Sequence, residues 1–215
     1  MPISKKNTQY YAAYQALRQR ILNGDFSPDQ RLREIEVAQL LGMGRTPVRE
    51  ALKRLEDERL LTHRPRQGLV VTRFNREEVA ELYAMREVLE GAAAEFAARH
   101  ASDAEIDNLR AILAENALPD ADPIALNLAF HEAIYGAAHN AHLVRSLRAL
   151  TDTTYLLGRS TLTSPERAAK ALEEHQAIAA AIIVRNPAAA NETARHHIRQ
   201  AFLERLKLLR DTSAP

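Results

Sequence analysis

The first third of the chain contains short amphipathic segments separated by glycines and prolines. Apolar residues recur every three or four positions in three of them, which predicts helices over about 8–23, from Glu34 to Gly42, and over 45–59. The apolar positions are Tyr14, Leu17, Ile21, Ile35, Ala38, Leu41, Val48, Leu52 and Leu55. Two residues separate the second helix from the third, and this spacing is typical of a helix–turn–helix.

The hydrophobic period shortens after the third helix. Residues 61–63 and 69–71 have the composition of two short strands, and the turn between them is Arg64-Pro-Arg-Gln-Gly68. Two such runs around a glycine-containing turn predict a hairpin. Three helices followed by a hairpin indicate a winged helix–turn–helix.

From Asn75 onward the pattern is helical, with turns at polar residues and prolines, and no strand pattern follows. Ser102 and Ser164 are candidate N-caps, the latter with Pro165 at the first helical position. The predicted helices span about 75–100, 103–117, 122–138, 140–161, 165–185 and 187–210. We therefore predict a mainly α protein, with a winged helix–turn–helix domain over 1–73 and an all-α six-helix bundle over 74–215.

Charge divides the chain at the same place. The net charge is +1, from 29 basic and 28 acidic residues. Up to Arg73 there are 14 basic and 8 acidic residues, a charge of +6, and the remaining 15 and 20 give −5. This asymmetry favours a basic module that binds a polyanion, joined to an acidic module with another task.

The third predicted helix has a basic face. Arg45, Arg49 and Lys53 are four residues apart, on the face opposite the apolar one. Such a face can enter a DNA major groove, where arginine binds guanine with two hydrogen bonds, and Thr46 can bind a phosphate at the helix start. The alternative is a solvated surface stripe.

The composition excludes several classes of protein. The chain has no cysteine, so it has no disulfide, thiolate zinc site or cysteine nucleophile, and a reducing cytoplasm is the expected location. The N-terminal residues lack the apolar core of a signal peptide, and no apolar run is long enough to span a membrane.

Histidines are concentrated in the second part of the chain. Asn127 and His131 are one helical turn apart, and His175 and His197 lie in the middle of two later helices. Facing helices of a bundle can bring such side chains together around a metal ion. The alternative is a set of ordinary buried or surface histidines.

Four motifs in the first 73 residues resemble the DNA-binding domain of GntR-family transcriptional regulators: Arg31-Leu-Arg-Glu34, Val37-Ala-Gln-Leu-Leu-Gly42, Arg45-Thr-Pro-Val-Arg-Glu-Ala-Leu52 and Arg64-Pro-Arg-Gln-Gly68. The resemblance implies DNA contacts by Arg45, Thr46 and Arg49, and by Arg66 and Gly68 in the wing. The family usually has serine or threonine at position 44. Glycine there removes a hydroxyl that could bind a phosphate.

The contexts Asn127-Leu-Ala-Phe-His131, Glu174-His175-Gln-Ala-Ile and His197-Ile198 resemble the FCD effector domain of the FadR-type branch. The six helices resemble its shorter, VanR-type form. Metal-binding members hold a divalent ion with an aspartate and three histidines. The resemblance implies that His131, His175 and His197 are ligands for zinc or nickel, with Asn127 at the aspartate position. A neutral amide is a weaker ligand than a carboxylate.

The resemblance implies a regulator with no enzymatic activity, which binds a pseudo-palindromic double-stranded DNA operator as a homodimer. A small carboxylate effector in the bundle would control binding, and repression is the commoner outcome. Arg86 is a candidate for the effector contact, or it pairs with Glu90. One alternative is a regulator of this type without metal. Another is a metalloenzyme with histidine ligands, against which the chain has no His-Glu-x-x-His or Gly-x-Ser-x-Gly motif.

Overall fold

The computed structural model describes residues 5–211, with side chains described for 9–210. Three helices and then two strands form the N-terminal part, as the sequence predicts, and helices follow. The elements are α1 Lys5–Leu22, α2 Glu34–Leu41, α3 Arg45–Asp57, β1 Leu61–Arg64, β2 Gly68–Val71, α4 Arg76–His100, α5 Asp103–Asn116, α6 Pro123–Ala137, α7 Ala141–Tyr155, α8 Pro165–Ile183 and α9 Pro187–Asp211.

The described residues group into two compact units. The first contains the chain up to Asn75 together with Thr151–Gly158, and the second contains Arg76–Leu150 and the residues from Arg159 onward. In the first unit, α1 packs against α3 over an apolar core. The members of this core with the least exposure include Leu17, Ile21, Val48, Ala51, Leu55, Leu60 and Leu61. Leu156 joins the same core, and Asp152 pairs with Arg18.

The turn between α2 and α3 follows from two glycines. Gly42 ends α2 with φ +62°, a left-handed conformation that glycine adopts without a steric penalty, and its N–H bonds to carbonyls of the preceding turn. Gly44 is extended and caps α3 without a side-chain hydrogen bond. Val48, Leu52 and neighbouring apolar residues of α3 are buried, so its polar face is left outward. The predicted helix–turn–helix is confirmed.

The predicted wing is an antiparallel hairpin. Leu61 pairs with Val71 at one end and Arg64 with Gly68 at the turn, where Gly68 has φ +80°. Asp29 binds Arg64 and Arg73, so the hairpin is tied to the loop before α2.

The second unit is the predicted all-α bundle. Its two longest helices, α4 and α9, pack along each other, and alanines with almost no exposure fill the α4 side of the core. The two helices are close at Gly91, because a Cβ there would lie 2.8 Å from Cγ of Arg195. Among the described residues, no helix is long and apolar enough to cross a membrane.

The predicted capping residues mark the starts of two helices in this unit. Ser102 forms a capping box with Glu105 at the start of α5, and the Ser164 hydroxyl accepts a bond from the Arg167 N–H at the start of α8. The predicted fourth helix of the bundle was too long, because α7 ends at Tyr155. Gly158 follows with φ +82°, and a short 3-10 turn occupies Thr161–Thr163.

Candidate functional site

Three histidines from three helices meet inside the second unit. α6 supplies His131, α8 supplies His175 and α9 supplies His197, with relative exposures of 6%, 1% and 3%. One ring nitrogen from each lies within 4.8 Å of those of the other two. The sequence prediction that these three side chains converge is confirmed, and they form a cluster that could hold a metal ion. We call them the histidine triad.

Two carboxylates, one buried and one partly buried, determine which nitrogens of the triad face each other. Nδ1 of His131 lies 3.0 Å from Oε2 of Glu90, and Nδ1 of His197 lies 2.6 Å from Oε2 of Glu174. A carboxylate only accepts hydrogen bonds, so both Nδ1 atoms carry the proton. In the neutral rings, each Nε2 therefore has a free lone pair.

These two lone pairs point toward one another. Nε2 of His131 and Nε2 of His197 are 3.3 Å apart in a buried setting. With both Nδ1 atoms protonated, two Nε2 acceptors at this distance repel unless a proton or a metal ion lies between them. Two nitrogens that bind a tetrahedral zinc ion at about 2.05 Å each are about 3.3 Å from one another. The spacing of this pair fits a bound divalent ion.

His175 supplies the third donor. Its ring stacks on Phe130 with centroids 4.4 Å apart, and neither ring nitrogen has a hydrogen-bond partner among the described residues. Burial, reinforced by the neighbouring His197 and His131, holds the pKa of His175 far below its usual value. Burial also lowers the pKa of His197. Both rings are neutral near pH 7, which is the form that binds metals.

Two arginines, Arg167 buried and Arg86 partly buried, complete the surroundings of the triad. Arg86 lies 3.2 Å from Oε1 of Glu90, and Arg167 binds both oxygens of Glu174 at 2.7 and 2.9 Å. Nε of each arginine is buried without a partner among the described residues. Although burial acts to raise it, the pKa of Glu90 is held far below its usual value by His131 and Arg86. Two Arg–Glu–His chains thus converge on the triad.

The sequence-predicted residue Asn127 lies on α6 one turn before His131 and is half-buried. The two alternatives for Arg86 were an effector contact and a pair with Glu90. The structure contains the pair, and the arginine retains a buried N–H that the pair does not use.

The predicted DNA-contacting residues of α3 share an exposed surface. Arg45, Thr46, Arg49 and Lys53 are exposed, while the opposite face of the helix is buried. Glu34, at the start of α2, accepts hydrogen bonds from Nε of Arg45 at 2.9 Å and from Nε of Arg49 at 2.7 Å. The two arginines lower the pKa of Glu34 to about 2, the bond from Arg49 being the larger cause.

The wing lies beside this surface. Arg66 is exposed at its tip, with φ +65°, and Gly68 lines a cavity of about 510 Å³. The other lining residues come from the wing, the starts of α2 and α3 and the loop before α2: Arg31, Leu32, Arg33, Glu34, Ile35, Glu36, Arg45 and Leu69.

Sequence reasoning missed the partners of these side chains. Glu174 precedes His175, and Glu90 follows Arg86 by one turn, so both stood close to predicted site residues. Nothing in the sequence pairs Glu174 with His197 or Glu90 with His131, since these contacts join different helices. Glu34 likewise gave no signal of its contact with Arg49, 15 positions later.

Comparison with known proteins matches both units to described families. Residues 9–71 match the model of the bacterial regulatory proteins of the gntR family, and residues 81–200 match the FCD domain. The chain is 33% identical to an uncharacterized HTH-type transcriptional regulator, YdhC of Bacillus subtilis, over 92% of this chain and 89% of that one. It is 29% identical to the HTH-type transcriptional repressor GlaR of Escherichia coli, over 86% and 90%.

A solved structure shows the same fold. E. coli McbR/YncC superposes with a TM-score of 0.74 at 23% identity, over 99% of this chain and 100% of that one. The sequence relatives above are transcriptional regulators and not enzymes, in agreement with the sequence interpretation.

Proposed function

This chain belongs to the GntR family of transcriptional regulators and has a C-terminal FCD domain, and from this premise we propose that a small carboxylate, bound in the helical unit, controls its binding to a DNA operator. Residues 1–73 form the DNA-binding domain in this proposal, and residues 74–215 bind the effector and form the dimer. The exposed basic face of α3 is the observation that supports the first assignment.

The proposed DNA contacts follow the geometry of that face. Arg45 and Arg49 bind guanine edges in the major groove, and Lys53 binds a phosphate farther along α3. Thr46, at the start of α3, binds a phosphate with its hydroxyl and backbone N–H. Arg66 and Gly68 place the wing against the adjacent backbone.

A homodimer would present two such faces to the two halves of a pseudo-palindromic operator, about one helical turn of DNA apart. We propose repression as the outcome, a role supported by the name of one relative, the repressor GlaR. The effector acts by binding one arrangement of the dimer more tightly than the other, since equal affinity for both would leave operator occupancy unchanged.

The histidine triad is proposed to hold zinc or nickel. The observation that supports it most strongly is the pair of facing Nε2 atoms of His131 and His197, 3.3 Å apart. His175 supplies the third donor, and Asn127 is an amide ligand or orients one. Glu90 and Glu174 each accept a hydrogen bond from a proposed histidine ligand, so two negative charges lie close to the metal site. They offset the negative charge that an aspartate would supply at the position of Asn127.

A metal ion in this position would polarise a bound carboxylate, and Arg86 is proposed to pair with that group through its unused N–H. In the alternative without metal, Arg86 is still the effector contact, and the triad binds the effector through hydrogen bonds only. The neutral side chain of Asn127 favours this alternative. A metalloenzyme remains the least supported alternative, and loss of ester or peptide hydrolysis in the His175→Ala variant would be its signature.

Two measurements test the proposal. Arg49→Ala should abolish binding to a duplex selected by the wild-type protein, while sedimentation shows an unchanged dimer. Unchanged DNA affinity would refute the assignment of Arg49 as a base-reading residue.

Metal analysis of the untagged wild-type protein should give near one ion per chain, and the same analysis of the His175→Ala variant should give none. No metal in either, after incubation with zinc or nickel, would favour the metal-free alternative.

A further inference from the structure

Ile35 is an apolar side chain among charged residues of the first unit. It is the second residue of α2 and is 54% exposed. It lines the cavity between the start of α2, the start of α3 and the wing. Single exposed apolar residues are common on proteins, so exposure alone carries no argument. The argument lies in what surrounds this one.

The surroundings of Ile35 are charged. The charged residues that line the same cavity are Arg31, Arg33, Arg45, Glu34 and Glu36. Guanidinium groups of this kind match phosphates and the polar edges of guanine. An aliphatic side chain matches neither group, so Ile35 must contact another feature of the duplex if it contacts the duplex at all.

The major groove contains one apolar feature, the C5-methyl group of thymine. Ile35 is adjacent in sequence to Glu34, the residue that holds both Arg45 and Arg49. An element that lies this close to the base-reading arginines is brought to the groove along with them.

We propose that Ile35 contacts a thymine methyl group in each operator half-site and makes operator choice depend on that base. The inference rests on the proposed function, in which the exposed face of α3 enters the major groove. Ile35 is therefore a specificity-determining residue, and the thymine lies next to the bases that Arg45 and Arg49 read.

Deoxyuridine tests this contact, because it differs from thymidine only in lacking the C5-methyl group. The full-length protein first selects a duplex from a random library. Each thymine of that duplex is then replaced in turn, and the dissociation constant is measured by fluorescence anisotropy at one salt concentration. One replacement per half-site should weaken wild-type binding about fourfold, the effect of losing one buried methyl group.

The same replacement should have no effect on the Ile35→Ala variant, because the methyl group then has no partner. Leu40→Ala is the matched control. Leu40 is also an exposed aliphatic residue of α2, about 140° farther around the helix, and this variant should keep the wild-type penalty. Thermal melting checks that both variants remain folded.

The proposal is overturned if no thymine gives a penalty that depends on residue 35. It is also overturned if Ile35→Ala weakens binding to all duplexes alike, since that result indicates a contact with the DNA backbone. These outcomes differ from failure of the proposed function, in which no specific duplex is selected or the Arg49→Ala variant binds as tightly as the wild type.

Discussion

The Glu174→Gln substitution removes one charge next to the histidine triad and keeps the size of the side chain. Oε2 of Glu174 contacts Nδ1 of His197 at 2.6 Å and Nη2 of Arg167 at 2.7 Å, while Oε1 contacts Nη1 of Arg167 at 2.9 Å. An amide has one accepting oxygen in place of two, and its NH2 group only donates. The variant can therefore keep one side of this arrangement and lose the other.

Two effects of different size follow. Partners of this kind contribute 10- to 100-fold to metal affinity. Since the amide oxygen can still accept from Nδ1 of His197, we expect the lower end, about tenfold weaker zinc binding or about 1.4 kcal/mol. Arg167 is 6% exposed and would lose its anionic partner, which costs about 3 kcal/mol of folding stability.

The assay is zinc competition against a chromophoric chelator, well below the melting temperature, followed by thermal unfolding of the metal-free protein. We expect a melting temperature about 6–12 °C lower than that of the wild type. Glu173→Gln is the matched control, because it removes a charge from the neighbouring exposed residue and should change neither quantity. Zinc affinity equal to that of the wild type would falsify the assigned role of Glu174, whatever the loss of stability.

Three further predictions concern other parts of the chain. The pKa of Glu34 is lowered from 4.5 to about 2, so its carboxylate should stay charged as the pH falls to about 3. Its contribution to folding stability is therefore present above pH 4.5 and is lost as the pH falls toward 2. In the Arg49→Gln variant the NMR signal of this carboxyl should titrate at higher pH, and an unchanged titration would contradict the contact between the two residues. Gly136→Ala should stabilise the protein by about 0.5 kcal/mol or more, because a Cβ there meets nothing within 4 Å. Gly91→Ala should instead destabilise it by about 1 kcal/mol, because an arginine of α9 must move. Denaturant unfolding measures both changes, and equal effects of the two substitutions would argue against close packing of α4 on α9. Ser102→Ala should cost about 1 kcal/mol through loss of the capping box, measured in the same way, and a change below about 0.3 kcal/mol would show that the cap contributes little.

Sequence patterns predicted the parts of the fold that depend on neighbouring residues. The ends of α2, α5 and α8 follow from Gly42, Ser102 and Ser164, each of which acts within one helical turn. The end of α7 was missed because the apolar pattern continues past Tyr155 to Leu156 and Leu157. Leu156 is buried, but it packs in the core of the first unit and not in the bundle.

The same distinction applies to the candidate site, where the residues in local motifs could be predicted and the contacts between helices could not. The three histidines could be chosen from the local motifs of the resembling family, and their convergence is confirmed. The carboxylates behind them could not, since Glu90 and His131 are 41 positions apart and Glu174 and His197 are 23 apart. Such pairs depend on how helices pack, which the helical period alone does not determine.

The shared carboxylate of Glu34 also bears on the search for an operator. Two arginines and one glutamate carry a single net positive charge, so this part of the surface attracts phosphates less than two unpaired arginines would. Affinity for arbitrary DNA arises mainly from phosphate contacts and falls steeply as the salt concentration rises. We expect Glu34 to shorten the residence of the regulator on unrelated sequences, and Glu34→Gln to bind them more tightly and with a steeper dependence on salt. Discrimination between operator and genome would then depend as much on this acidic residue as on the arginines that it holds.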